Sequence, residues 1–148
     1  MAGDMRLGPD VGTERLMAAD HGVLATVHPD RGVDVVPVCF ALHGNLLAVP
    51  IDVVKPKTTT DLQRRTNLGR DPRATLLVEG WDARDWSQLW WVRVELRRTP
   101  VDDAARNALE ELLRDKYHQY RSTSFADLLT FEVRGLDGWA ASASGPPP

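Results

Sequence analysis

The chain has 148 residues, 43% of them hydrophobic and 26% charged, enough for one domain with its own core. A net charge of −3 gives no general attraction to nucleic acid or to an anionic membrane, so any anion site must be local. The single cysteine, Cys39, excludes an intrachain disulfide, no apolar run approaches the ~20 residues that span a bilayer, and Met1 to Asp20 lacks the apolar centre of a secretion signal. These features predict a cytoplasmic protein with neither a membrane nor a nucleic-acid partner.

Residues 1–12 read as a flexible N-terminus, 13–139 as one domain, and 140–148, built of Ser, Ala, Gly and Pro, as a disordered tail. Thr13 to Ala19 is a candidate short helix, broken by Gly22. Val23 to Val27 and Val33 to Ala41 are predicted strands, joined by the turn His28-Pro29-Asp30-Arg31-Gly32. Pro37 cannot donate to a ladder, so the second strand is open there, at an edge or a bulge. After the turn His43-Gly44-Asn45, the apolar run Leu46 to Ile51 reads as a third strand, buried on both faces.

The stretch Lys55 to Val78 carries the strongest signal. Thr58 is a good N-cap with Asp61 three residues on, which predicts a helix from about Thr59 to Leu68. Asp71-Pro72 stops it, and Ala74 to Val78 follows as a strand. Between Lys55 and Arg73 six basic residues face two acidic ones, a local balance of +4 in an acidic chain. A helix N-terminus with Lys57 before it and Arg64 one to two turns in suits a small anion such as a phosphate. A solvated helix face accounts for the same charges.

Four of the five tryptophans fall between Trp81 and Trp91, a density that suits core or interface packing, or a ring-stacking platform. Leu89 to Arg97 alternates as a strand, with Trp91, Arg93 and Glu95 on one side and Trp90, Val92, Val94 and Leu96 on the other. Asp102 to Tyr117 is a capped amphipathic helix. A last strand spans Leu128 to Arg134, followed by a turn over Gly135 to Gly138. Six strands on short connections predict a mainly antiparallel sheet curled into a small barrel, with two or three peripheral helices.

Catalytic and metal motifs are missing from this pattern. His21, His28, His43 and His118 are scattered, and none has a partner at ligand spacing. Asp82 and Asp85 are either paired carboxylates or ordinary loop charges. No residue is assigned as catalytic or metal-binding. A barrel, an anion site and aromatic surface together suit a phosphorylated cofactor that carries its own chemistry.

Leu24-Ala25-Thr26-Val27 with Pro29-Asp30-Arg31-Gly32, then Val35-Val36-Pro37-Val38, then Asn67-Leu68 and Asp71-Pro72-Arg73-Ala74-Thr75-Leu76-Leu77-Val78, resemble the pyridoxamine 5′-phosphate oxidase superfamily of FMN-binding split β-barrels. Asp85 to Arg93, DWSQLWWVR, is closer to the actinobacterial branch that uses the deazaflavin coenzyme F420. The resemblance covers nearly the whole chain. It implies a six-stranded antiparallel split barrel and a homodimer with cofactor in grooves between the protomers. By that likeness Lys57 and Arg64 hold the cofactor phosphate, with Thr58 and Asn67 nearby. Val36, Pro37 and Val38, with Ile51 and Asp52, border the ring, and Trp91 stands where flavin-binding relatives carry a glutamine. Leu96 departs from the glycine many relatives have there, and no basic residue follows Trp139 to serve pyridoxamine phosphate, so vitamin B6 oxidation is not implied. The implied function is F420-dependent hydride transfer to or from a small-molecule substrate. The alternatives are an FMN-binding oxidoreductase, a non-catalytic F420 binding or storage protein, and a barrel that only dimerises.

Overall fold

The computed structural model describes residues 5–52, 59–122 and 125–142. Helix α1 is Pro9–Ala18, strands β1 to β4 are Gly22–His28, Gly32–Val38, Ala41–His43 and Leu46–Asp52, and helix α2 is Thr59–Arg70. Strands β5 and β6 are Arg73–Gly80 and Trp90–Arg98, helix α3 is Asp103–Lys116, and β7 is Phe125–Ala140. The seven strands form one antiparallel sheet in the order β2-β1-β5-β6-β7-β4-β3.

That is one strand more than expected. The predicted strand Val33 to Ala41 divides at Cys39-Phe40, because Phe40 takes its backbone partners from a helix. Its N–H donates to the Tyr117 hydroxyl at 3.1 Å. Its carbonyl accepts from Lys116 Nζ at 3.1 Å and from the Tyr117 hydroxyl at 3.3 Å. The break also shapes the sheet. Edge strands β2 and β3 are separated by two residues only, so a chain rising at most ~3.6 Å per residue must bring the two edges close together. The sheet is therefore curled like a split barrel, while its ladder stays open between β2 and β3.

Two hairpins need left-handed glycines, Gly32 at φ 87° and Gly44 at φ 60°. His28 Nδ1 closes the first by accepting the N–H of Asp30 and of Arg31. The main core fills the barrel with Leu24, Phe40, Leu47, Leu76, Val94 and Phe131 among others. Helix α3, capped by Asp102 on the Ala105 N–H, packs Leu109 and Leu113 against Ala41, Ala48 and Leu128. Each fully buried leucine stabilises the fold by roughly 1.5–3 kcal/mol.

The first helix starts at Pro9, earlier than Thr13, with proline where its missing N–H costs nothing. Backbone bonds from Leu7 N–H to Gly138 and from Ala140 N–H to Met5 tie the preceding residues to β7. Among the described residues no helix is long and apolar enough to cross a membrane.

Candidate functional site

Strand parity sorts the candidate residues onto two faces. On β2, Val36 and Val38 point toward the core, whereas Val33, Val35 and Pro37 point outward. Pro37 faces Val23, and the row continues through Leu77 and Arg93 to Asp137. The neighbouring row runs Val35, Ala25, Thr75, Glu95. Strand β2 is an edge, where the missing N–H of Pro37 is tolerated.

These rows floor a groove of about 430 Å³ lined by Val23, Val35, Leu77, Glu79, Trp91 and Arg93, among others. The Arg93 guanidinium lies 5.2 Å from the Trp91 ring centroid and pairs with Asp137 at 2.9 Å. A second groove of about 480 Å³ shares Ala25 and Thr75 with it and carries Arg73, Arg97 and Arg134. Val33 and Val35 are 55% and 62% exposed, an unusual state for two β-branched residues side by side on one face. Trp91, which the resemblance implies lies near the cofactor, lines this groove together with Val23, Val35, Leu77 and Glu79, which no sequence motif singles out. The alternation around Pro37, read outward as well as inward, was the signal for Val35.

The basic helix lies on the other face. Helix α2 is described from Thr59; Lys57 and the expected cap Thr58 lie outside the described residues, as do the side chains of Asp52 and Thr59 to Leu62. Arg64 is only 7% exposed, which corrects the picture of a solvated helix face at that position. It shares a helix face with Asn67 and Leu68, both buried. Arg65 diverges from it and pairs with Asp127 on β7 at 3.0 Å. Asn67 is fully buried, and its amide bonds Thr26, Asp34 and Gln63, so its hydrogen bonds go to the protein. Ile51 is 2% exposed and belongs to the core.

The loop between β5 and β6 shows Trp81 and Trp86 at 62% and 69% exposure, their rings 6.5 Å apart. Asp82 and Asp85 act as turn caps. Asp82 accepts the Arg84 N–H at 2.8 Å, and Asp85 accepts the Ser87 hydroxyl and N–H, bonds that hold its carboxyl below the usual range. Trp90 turns inward over Gly80, with the Arg15 guanidinium of α1 5.0 Å from its ring centroid. Among the described residues no cluster of His, Cys, Asp and Glu could hold a metal ion.

Solved structures supply the comparison. A conserved hypothetical protein from Mycobacterium tuberculosis matches 100% of this chain and 94% of its own, at a TM-score of 0.73 and 17% identity. An FAD-binding protein from Mesorhizobium loti matches 90% of this chain and 94% of its own, at 0.64 and 17%. A candidate pyridoxamine 5′-phosphate oxidase from Corynebacterium glutamicum matches 90% and 94%, at 0.56 and 14%. This chain shares their fold. The sequence matches no protein-family model and is not significantly similar to any curated protein.

Proposed function

We propose that the protein is a split-barrel oxidoreductase that binds a flavin-type cofactor between two protomers, and that this cofactor is F420. The observation that carries the reading is the outward groove with Trp91 and apolar flanks, of a size that suits a flat ring system. The basic helix fits the same cofactor's phosphate, but Arg64 and Trp91 belong to opposite faces of the sheet. One ligand reaches both most simply when one protomer supplies the helix and its partner the groove. When bound, the cofactor supplies the hydride chemistry. The chain's own part is to hold the phosphate with Lys57 and Arg64, to seat the ring against Trp91 and the β2 edge, and to exclude water.

FMN is the second reading, favoured by the FAD-binding description of the Mesorhizobium loti neighbour. Fluorescence titration of the pure protein with F420 and with FMN separates them. Micromolar or tighter binding of F420 is the expected result. Binding of FMN without F420 moves the assignment to FMN, and binding of neither removes the cofactor reading. Binding of F420 without turnover of enones, quinones and nitro compounds points to storage. Arg64→Ala is expected to weaken binding roughly ten- to a hundredfold, the loss of one charge-assisted phosphate contact. Arg65→Ala, paired away toward Asp127, is expected to bind almost normally. Circular dichroism checks that each variant is folded, because the buried Arg64 side chain also contributes packing.

A further inference from the structure

Arg73 on β5 and Arg97 on β6 stand directly opposite each other and both point outward. Like charges in that position repel. Beside them Arg134 is the extra residue of the β7 bulge, and the bulge turns it onto the same wall. Three guanidinium groups thus converge on the groove of about 480 Å³, with Glu95 the one acid among its lining residues. Its other walls include Ala25, Val27 and Val33.

The nearby acids leave donors over. Asp71 is taken by Arg73, whose guanidinium bonds both of its oxygens and whose N–H bonds one of them. Glu132 approaches Arg134 only to 3.7 Å, longer than a hydrogen bond. The Glu95 carboxylate lies beside Gly135. Among the described residues no carboxylate is within ion-pair distance of Arg97. Arg93, two rows along on the same strand, is by contrast matched by Asp137.

We propose that this groove is the substrate pocket of the oxidoreductase, and that it takes a small molecule with an apolar body and a doubly charged oxyanion at one end, held by Arg97 and Arg134. A guanidinium fork matches two oxygens of a carboxylate or phosphate, and two forks suit an anion of charge −2. The apolar body lies along Ala25, Val27 and Val33. Arg97 and Arg93 are four residues apart on β6, about 14 Å at ~3.4 Å per residue. A ligand anchored at Arg97 therefore reaches, across Ala25 and Thr75, the edge of the groove that carries Trp91. The oxyanion site needs no cofactor; its role as substrate pocket rests on the cofactor ring lying in that neighbouring groove.

Calorimetry at low salt titrates the full chain, without cofactor, with phenyl phosphate, with phenylmalonate, and with benzyl alcohol as the neutral control. At least one of the two anions should bind with a Kd below about 1 mM and the alcohol should not; the tighter anion identifies the head group as phosphate or dicarboxylate. Arg97→Gln and Arg134→Gln should each weaken that binding about ten- to a hundredfold, the loss of one charge-assisted contact. Arg121→Gln makes the same charge change at an exposed position after α3 and should leave it nearly unaltered. Binding of neither anion, or equal weakening by Arg121→Gln, overturns the proposal. The same titration on F420-loaded protein should still show the anion bound. Displacement of the anion by F420 would make the groove part of the cofactor's own seat and overturn the substrate role. A failed F420 titration removes the cofactor reading and the substrate role with it, and leaves the oxyanion site to be decided by the cofactor-free titration.

Discussion

The side-chain amide of Asn67 joins three elements. From α2 it donates to Thr26 Oγ1 on β1 at 3.0 Å and to Asp34 Oδ2 on β2 at 2.8 Å, and it accepts from Gln63 at 2.9 Å. The bond from Asn67, ahead of that from Arg31, holds the Asp34 carboxyl below its ordinary value. Asn67→Ala leaves a buried hydroxyl acceptor and a carboxylate oxygen short of a donor, and is expected to cost roughly 2–4 kcal/mol in urea unfolding at pH 7. The sign of the acid dependence follows. A carboxyl whose folded value is depressed contributes stability above its unfolded value near ~4, and that contribution disappears as pH falls through the folded value. Wild type should therefore lose more stability than Asn67→Ala between pH 6 and pH 3. Equal slopes for the two proteins would show that the amide does not hold the carboxylate.

At the scale of elements, the helices and the central strands were legible because their periodicities are clean. Helix α2 covers the predicted span Thr59 to Leu68, and β6 keeps the inward and outward sets read from its alternation. The C-terminal strand was not legible. Gly135 and Gly138 resemble turn residues, yet both lie inside the sixteen-residue strand β7. They serve close approach: a Cβ at Gly135 would press on the Glu95 carboxylate, and one at Gly138 on Leu7 and Val92. The register across β6 shifts between Glu95 and Leu96, where Arg134 is the extra residue of a bulge, and one-dimensional alternation cannot see that. Gly80 belongs to the same class. A Cβ there would overlap the Trp90 indole, which Arg15 covers from α1. Gly80→Ala must displace a rigid ring from its packing and is expected to cost roughly 1–3 kcal/mol, read as a lower urea midpoint with an unchanged m value. A midpoint equal to wild type would mean that the ring moves aside freely.

For the whole molecule, Arg64 and Trp91 lie on different faces of the sheet, which is why the proposed site draws on two copies. The helix carrying Arg64 sits on the core side of the sheet, and the groove with Trp91 opens on the outer side. Sequence placed both in one site because spacing along the chain carries no information about sheet faces without the register. The outer face of β2, β1, β5 and β6 presents exposed Val33 and Val35 beside partly covered Val23 and Leu77, a contiguous apolar surface of the sort that soluble proteins cover with a partner. Light scattering at tens of micromolar protein is expected to give twice the chain mass. Val35 is 62% exposed, so Val35→Asp should leave the fold and thermal midpoint nearly unchanged. Two facing carboxylates buried across a twofold axis would repel and lose water, so the variant is expected to run as a monomer. If the phosphate and ring contacts come from different protomers, F420 affinity falls with the dimer. A wild-type monomer would remove the two-protomer site. A Val35→Asp dimer of undiminished affinity would move the interface to another surface, with the exposed Trp81 and Trp86 loop the next to be changed.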